Sequence, residues 1–135
     1  MAHDETRPNA PSATGDRPRD PEVSVVIVSF NTRDLLREAI ASLPAAAAGR
    51  SFETIVVDNR SQDGSAEMVE REFPGATVVR AERNLGFAGA NNLAFRRARG
   101  RFVYCLNPDT VSHEGSLDAL VRVLEDDARI GYAGP

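Results

Sequence analysis

Four places in the chain set polar groups directly behind an apolar run: Ser29-Phe30-Asn31, Asp58-Asn59, Arg83-Asn84 with Gly86, and Asn107-Pro108-Asp109. The last has the plainest chemistry. A carboxylate at Asp109 could hold a hard divalent cation, yet Asn-Pro-Asp-Thr also suits a type I turn. Each of the other three has a similar alternative. Asn31 can cap a helix, Asp58 and Asn59 fit a turn, and Asn84 with Gly86 fits a loop. Taken singly, each cluster fits turn chemistry better than ligand chemistry, so the elements that gather them must decide.

Those elements alternate. "VSVVIVSF" from Val23 is a β-branched run too short for a helix and apolar on both faces, as a central parallel strand would be. After it, Asn31 can cap a helix whose Leu35, Leu36, Ala39, Ile40 and Leu43 recur at helical spacing, with Pro44 just past the last of them. "ETIVVD" reads as a second strand. Asp63 can cap the next helix, in which Ala66, Val69 and Phe73 share a face before Pro74-Gly75 ends it. "ATVVR" makes a third strand, and "GFAGANNLAFRRARG" a third helix with Phe87, Ala90 and Ala94 inward and Gly100 as its stop. "RFVYCL" is the fourth strand. "SLDALVRVLEDD" gives a fourth helix with Leu117, Leu120, Val121 and Leu124 on one side, and "RIGYAGP" opens as a further strand. The pattern predicts an α/β fold, a Rossmann-like parallel sheet with helices on both faces. In such sheets ligands lie beyond the carboxyl ends of the strands, where all four polar clusters fall.

Residues 1–21 mix proline, charge and small polar groups with almost nothing to bury, which predicts a disordered leader before a domain over 22–135. The net charge of -4 and the scattered arginines give no reason to expect a nucleic-acid partner. All 16 basic residues are arginine, a usage that codon bias explains as readily as anion contacts do. The one cysteine, Cys105, excludes an intramolecular disulfide and reads as a small buried hydrophobe in a reducing, cytoplasmic compartment. No apolar stretch reaches the length of a membrane span, so a peripheral place at the cytoplasmic face of a membrane would depend on other residues or on a partner. No glycine follows strand one until Gly49, which argues against a dinucleotide-binding turn. There is likewise no P-loop, nucleophile elbow, zinc cluster or acidic pair of a receiver domain. Phosphate handling, if present, must rely on a divalent cation.

"VSVVIVSFN", "IVVDNRSQDGS", "RNLGFAGANN" and "FVYCLNPDT", in this order and at these separations, resemble the nucleotide-binding half of a family 2 glycosyltransferase with the GT-A fold. The likeness runs from Val23 to the last residue. It is strongest to rhamnosyltransferase-like members, which show Asn-Pro-Asp where others carry Asp-x-Asp. The resemblance implies that Ser29, Phe30 and Asn31 line a nucleobase pocket, that Asp58 accepts a hydrogen bond from the base N–H, and that Asn59 beside it also binds the nucleotide. It implies that Asn84, Gly86 and Asn92 shape the loop and helix beside the nucleotide, with a purely structural hydrogen bond equally open for Asn92. Asn107 would sit near the ribose. Asp109 would coordinate Mg²⁺ or Mn²⁺ on the diphosphate; Pro108 keeps Asn107 extended and aims Asp109 across the sheet edge.

An inverting transfer from a nucleotide-diphosphate sugar, with dTDP-rhamnose as the implied donor, to a glycan or lipid-linked acceptor follows from the same likeness. So does a role in cell-surface polysaccharide biosynthesis. The implied general base is an acidic residue beyond residue 135, on the acceptor half; His113 and Glu114 have ordinary explanations in a loop and a helix N-terminus. The chain then reads as a GT-A domain truncated at its C-terminus. Its alternative reading is a non-catalytic nucleotide-sugar-binding or regulatory fragment. An unfinished sheet edge predicts self-association, which a monodisperse monomer in solution would contradict.

Overall fold

A computed structural model describes residues 20–134. The predicted leader lies outside the described residues except for Asp20 and Pro21. Strands and helices alternate as β1 (Val23–Ser29), α1 (Arg33–Ala47), β2 (Phe52–Asp58), α2 (Ser65–Glu72), β3 (Thr77–Arg80), α3 (Gly86–Phe95), β4 (Phe102–Leu106) and α4 (Ser116–Asp126). The four strands form one parallel sheet in the order β3-β2-β1-β4. The chain therefore steps outward from β1 to β3 and then returns to the other side of β1. That reversal puts the topological switch point between β1 and β4.

Side chains alternate across the sheet. Val23, Val25 and Ile27 face α1, α2 and α4 in the larger core with Leu36, Leu43, Met68, Val69, Leu117 and Val121. Val26, Ile55, Val57 and Val79 face Ala90 and Ala94 of α3 in the smaller one. Helices thus cover both faces, three on one side and one on the other. The amino ends of the strands are tied by Arg50, which pairs with Glu22, with Asp118 at 2.6 Å and with Glu125 at 3.1 Å, joining the β1 entry to α4. No helix among the described residues is long and apolar enough to cross a membrane.

Several local expectations give way to the packing. α1 runs through Pro44 to Ala47; the proline falls in its last turn, and burial of Ala46 and Ala47 holds that turn together. Leu35 and Phe87 face outward, not inward, Phe87 being 64% exposed. α3 packs mainly on β1 and β2 and buries the stripe of Ala90, Asn91 and Ala94. Cys105 is exposed, not buried. It sits on the edge strand β4, where Phe102, Tyr104 and Leu106 turn to the larger core and Val103 and Cys105 stand on a face that no helix among the described residues covers.

Gly100 does not stop α3, which ends at Phe95. It permits a close approach instead: a Cβ there would lie 2.4 Å from the Ser24 N and 2.7 Å from the Val23 carbonyl carbon. Residues 130–134 form no strand, because no ladder partner takes up their backbone groups. The outer edge of β4 is consequently unpaired among the described residues.

Candidate functional site

The carboxyl ends of β1 and β2 are in register, Ser29 beside Asp58, and the Asn59 N–H donates to the Ser29 carbonyl at 2.8 Å. β4 lies on the other side of β1, with Leu106 opposite Ile27, so Asn107-Pro108-Asp109 leaves the sheet next to Ser29-Phe30-Asn31. Three of the four sequence clusters thus meet at or next to the switch point. The fourth, Asn84 and Gly86, is brought in by side-chain contacts from the end of β2.

Asp58 is the chemically distinctive residue. It is 5% exposed, its Oδ2 accepts the Ser61 N–H at 3.1 Å, and its Oδ1 is buried with no hydrogen-bond partner. A buried carboxylate oxygen without a donor destabilises the protein by about 1–3 kcal/mol or more, so such an atom at a strand end can take a donor from water or from a ligand.

The loops after β1 and β2 are stitched together. The Asn31 N–H donates to Ser61 Oγ at 2.9 Å and the Gln62 N–H to Asn31 Oδ1 at 2.7 Å. The Arg33 N–H, first in α1, donates to Asp63 Oδ2 at 2.8 Å, while Asp63 Oδ1 accepts the Ser65 N–H at 3.0 Å. Asp63 therefore serves the first turns of both α1 and α2. Asn31 does not cap α1: it adopts a left-handed φ of 53° and Thr32 is the N-cap. Burial works against the charged form of Asp63, but the donors of Ser65 and Arg33 outweigh it and hold its carboxyl below the usual range. Arg60 is a second residue with positive φ, at 71°. Asn31 and Arg60 thus hold the left-handed conformation just past each of the first two strands, as Ala48 does at the C-cap of α1.

Ser29 is buried and shares a 2.8 Å hydrogen bond with Thr32, whereas Phe30 is 49% exposed and offers a ring face. Asn59 is buried and fully engaged: its Nδ2 donates to Asn84 Oδ1 at 2.9 Å and its Oδ1 accepts the Leu85 N–H at 2.7 Å. Gly86 opens α3 with φ 69°, a conformation that favours glycine. Asn92 is exposed on α3 and makes no hydrogen bond among the described residues; the structural role belongs to its neighbour Asn91, whose Nδ2 donates to the Phe87 carbonyl at 2.9 Å.

The Asn-Pro-Asp-Thr segment does form a turn, the Thr110 N–H donating to the Asn107 carbonyl at 3.2 Å. Asn107 and Asp109 are both exposed, and the Asp109 carboxylate takes no hydrogen bond within the described residues. Turn and metal ligand are thus compatible in one segment. No group of three or more His, Cys, Asp or Glu gathers among the described residues. The donor set fits a hard cation that takes one carboxylate from the protein and its remaining oxygens from diphosphate and water.

Sequence reasoning missed the double service of Asp63 and the left-handed φ of Arg60. A hint lay in "DNRSQDGS", where Ser61 and Asp63 bracket a turn with side chains that accept backbone N–H groups.

The chain is 28% identical over 84% of its length to the uncharacterized glycosyltransferase YfnE of Bacillus subtilis, of which the match covers 29%. It is 32% identical over 78% of its length to the succinoglycan biosynthesis protein ExoO of Rhizobium meliloti, again covering 29% of that protein. Among solved structures, the mannosyltransferase PcManGT of Pyrobaculum calidifontis in complex with GDP-Man and Mn²⁺ matches with 31% identity and a TM-score of 0.61, over 68% of this chain and 28% of that one. TarS of S. aureus matches with 24% identity and a TM-score of 0.68, over 84% of this chain and 38% of that one, and bears on the fold alone. The match spans between 28% and 38% of the length of these relatives. The Glycosyl transferase family 2 profile matches residues 24–134. With the parallel sheet and its order in hand, the chain belongs to glycosyl transferase family 2.

Proposed function

We propose that this chain supplies the donor-binding part of an inverting glycosyltransferase that moves a sugar from a nucleoside diphosphate to a glycan or lipid-linked acceptor. The observation that carries the reading is the unpartnered Asp58 Oδ1, buried at the carboxyl end of β2. It is an acceptor waiting for an N–H, and an imide-type base such as uracil or thymine brings one. Phe30 and Asn31 flank the base, Asn107 lies by the ribose, and Asp109 holds the cation. The divalent ion, when bound, supplies charge neutralisation on the departing nucleoside diphosphate. The residues of the chain bind and orient the nucleotide. The GDP-Man and Mn²⁺ complex of the related mannosyltransferase supports a nucleotide-sugar donor and a divalent cation. The Asn-Pro-Asp form of the motif supports dTDP-rhamnose as the donor.

A thermal-melt series with Mn²⁺ and dTDP, UDP, CDP or ADP tests this. dTDP and UDP at about a hundred times their Kd are expected to stabilise the chain by ~2.7 kcal/mol. CDP and ADP are expected to do far less, because cytosine N3 and adenine N1 turn a lone pair, not an N–H, toward the carboxylate. Equal shifts from all four nucleotides, or none from any, would refute the reading.

A further inference from the structure

Asn59 stands next to Asp58 and is more deeply buried, at 3% exposure, and both ends of its amide are turned toward residues 84–86. Its Oδ1 is taken by the Leu85 N–H at 2.7 Å, and its Nδ2 by Asn84 Oδ1 at 2.9 Å, with a longer contact to the Gly86 carbonyl at 3.4 Å. Asn84 Oδ1 also accepts the Gly86 N–H at 2.9 Å. Two donors on one oxygen fix which way the Asn84 amide is turned. Its Nδ2 is consequently left as a donor without a partner among the described residues, on an exposed side chain anchored to Asn59.

The contrast with the fourth loop sharpens the point. Side chains of the β2–α2 loop reach both neighbours, Ser61 and Asp63 toward β1–α1 and Asn59 toward β3–α3. Residues 107–110 make no side-chain hydrogen bond to any of those three loops among the described residues. The first three loops thus form one preorganised unit, and among the described residues Asn59 is the only side chain whose hydrogen bonds fasten the third to it.

We infer that Asn59 is a positioning residue that does not touch the nucleotide: it sets the flip of Asn84, and the Asn84 Nδ2 donor is what the nucleotide meets. The inference rests on the proposed donor binding and assigns the roles within it. Asn59→Asp is the informative change, since it keeps size and the acceptor for Leu85. It replaces the donor facing Asn84 with an acceptor, which turns the Asn84 amide around and occupies its Nδ2.

A double-mutant cycle read by calorimetric titration with dTDP and UDP tests this, using wild type, Asn59→Asp, Asn84→Ala and the double variant. Thermal melts accompany each titration. Arg50→Ala, at the far end of the sheet, serves as a control that loses stability without touching the loops. Each single variant is expected to weaken binding about tenfold, and the double variant no more than Asn84→Ala alone. Arg50→Ala is expected to lower the melting temperature and leave the affinity unchanged. Losses that add in the double variant, or an Asn59→Asp affinity equal to wild type, would overturn the assignment. Absence of binding by the wild-type chain would overturn the donor-binding reading, and this assignment with it.

Discussion

Asp58→Asn is expected to weaken dTDP and UDP binding by roughly 10- to 100-fold while leaving the melting temperature of the free chain unchanged or higher. The two effects have opposite signs for one reason. In the free protein Asp58 Oδ1 is buried without a donor, so a neutral amide removes a buried charge that has only the Ser61 N–H to satisfy it. In the bound state the Ser61 N–H faces Oδ2 and the base N–H faces Oδ1, and asparagine puts an NH2 donor at one of these two positions. A hydrogen bond to a charged group contributes about 1.5–3 kcal/mol, which sets the size of the loss. Calorimetry and thermal melts on the same samples check both signs. A residue that served the fold alone would lose stability and affinity together.

The second large effect falls on the scaffold. Gly100→Ala is expected to destabilise the chain by about 3 kcal/mol, at the upper end for overpacking, and to lower its melting temperature by roughly 10 °C. The added Cβ would meet backbone, the Ser24 N at 2.4 Å and the Phe102 carbonyl oxygen at 2.9 Å, and the Ser24 backbone in the central strand β1 cannot turn aside as a side chain can. Relief means moving the α3–β4 loop off β1. That breaks the hydrogen bonds from the Arg99 and Gly100 N–H groups to Ser24 Oγ, at 3.1 and 2.8 Å, and strains the Glu53–Arg99 pair. A melt within two or three degrees of wild type would show that the loop yields at little cost.

The order of elements and the α/β class were legible because β1 and β2 are apolar on both faces, which only strands buried on both sides of a sheet require. The ends of the helices were not. The acceptor for the Arg33 N–H is Asp63, 30 residues away, so a cap sought among the residues just before α1 pointed to Asn31. Leu35, Phe87 and Cys105 show a related limit: apolar character was read as burial, but exposure depends on which strand a helix covers and on which strand is the edge. Neither is written in local spacing.

The strand ends carried the candidate site because topology alone brings them to one edge. What spacing could not convey was the division of labour there. Asn59 and Asn84 read as parallel candidates in the sequence, whereas their contact, across 25 residues, makes one the fastening of the other. Asn91 and Asn92 are adjacent in sequence and opposite in burial, a difference that the phase of α3 on the sheet decides.

The central claim is that Asp109 and a nucleoside diphosphate hold a divalent cation between them at the β1–β4 switch point. Titration of dTDP into the wild-type chain and into Asp109→Ala, each with and without Mn²⁺, measures it directly. The account predicts that Mn²⁺ tightens binding to the wild type by about tenfold or more, ~1.4 kcal/mol, and that Asp109→Ala removes this gain while keeping the metal-free affinity. Binding that is indifferent to Mn²⁺ in the wild type, or an equal Mn²⁺ gain in Asp109→Ala, would contradict it.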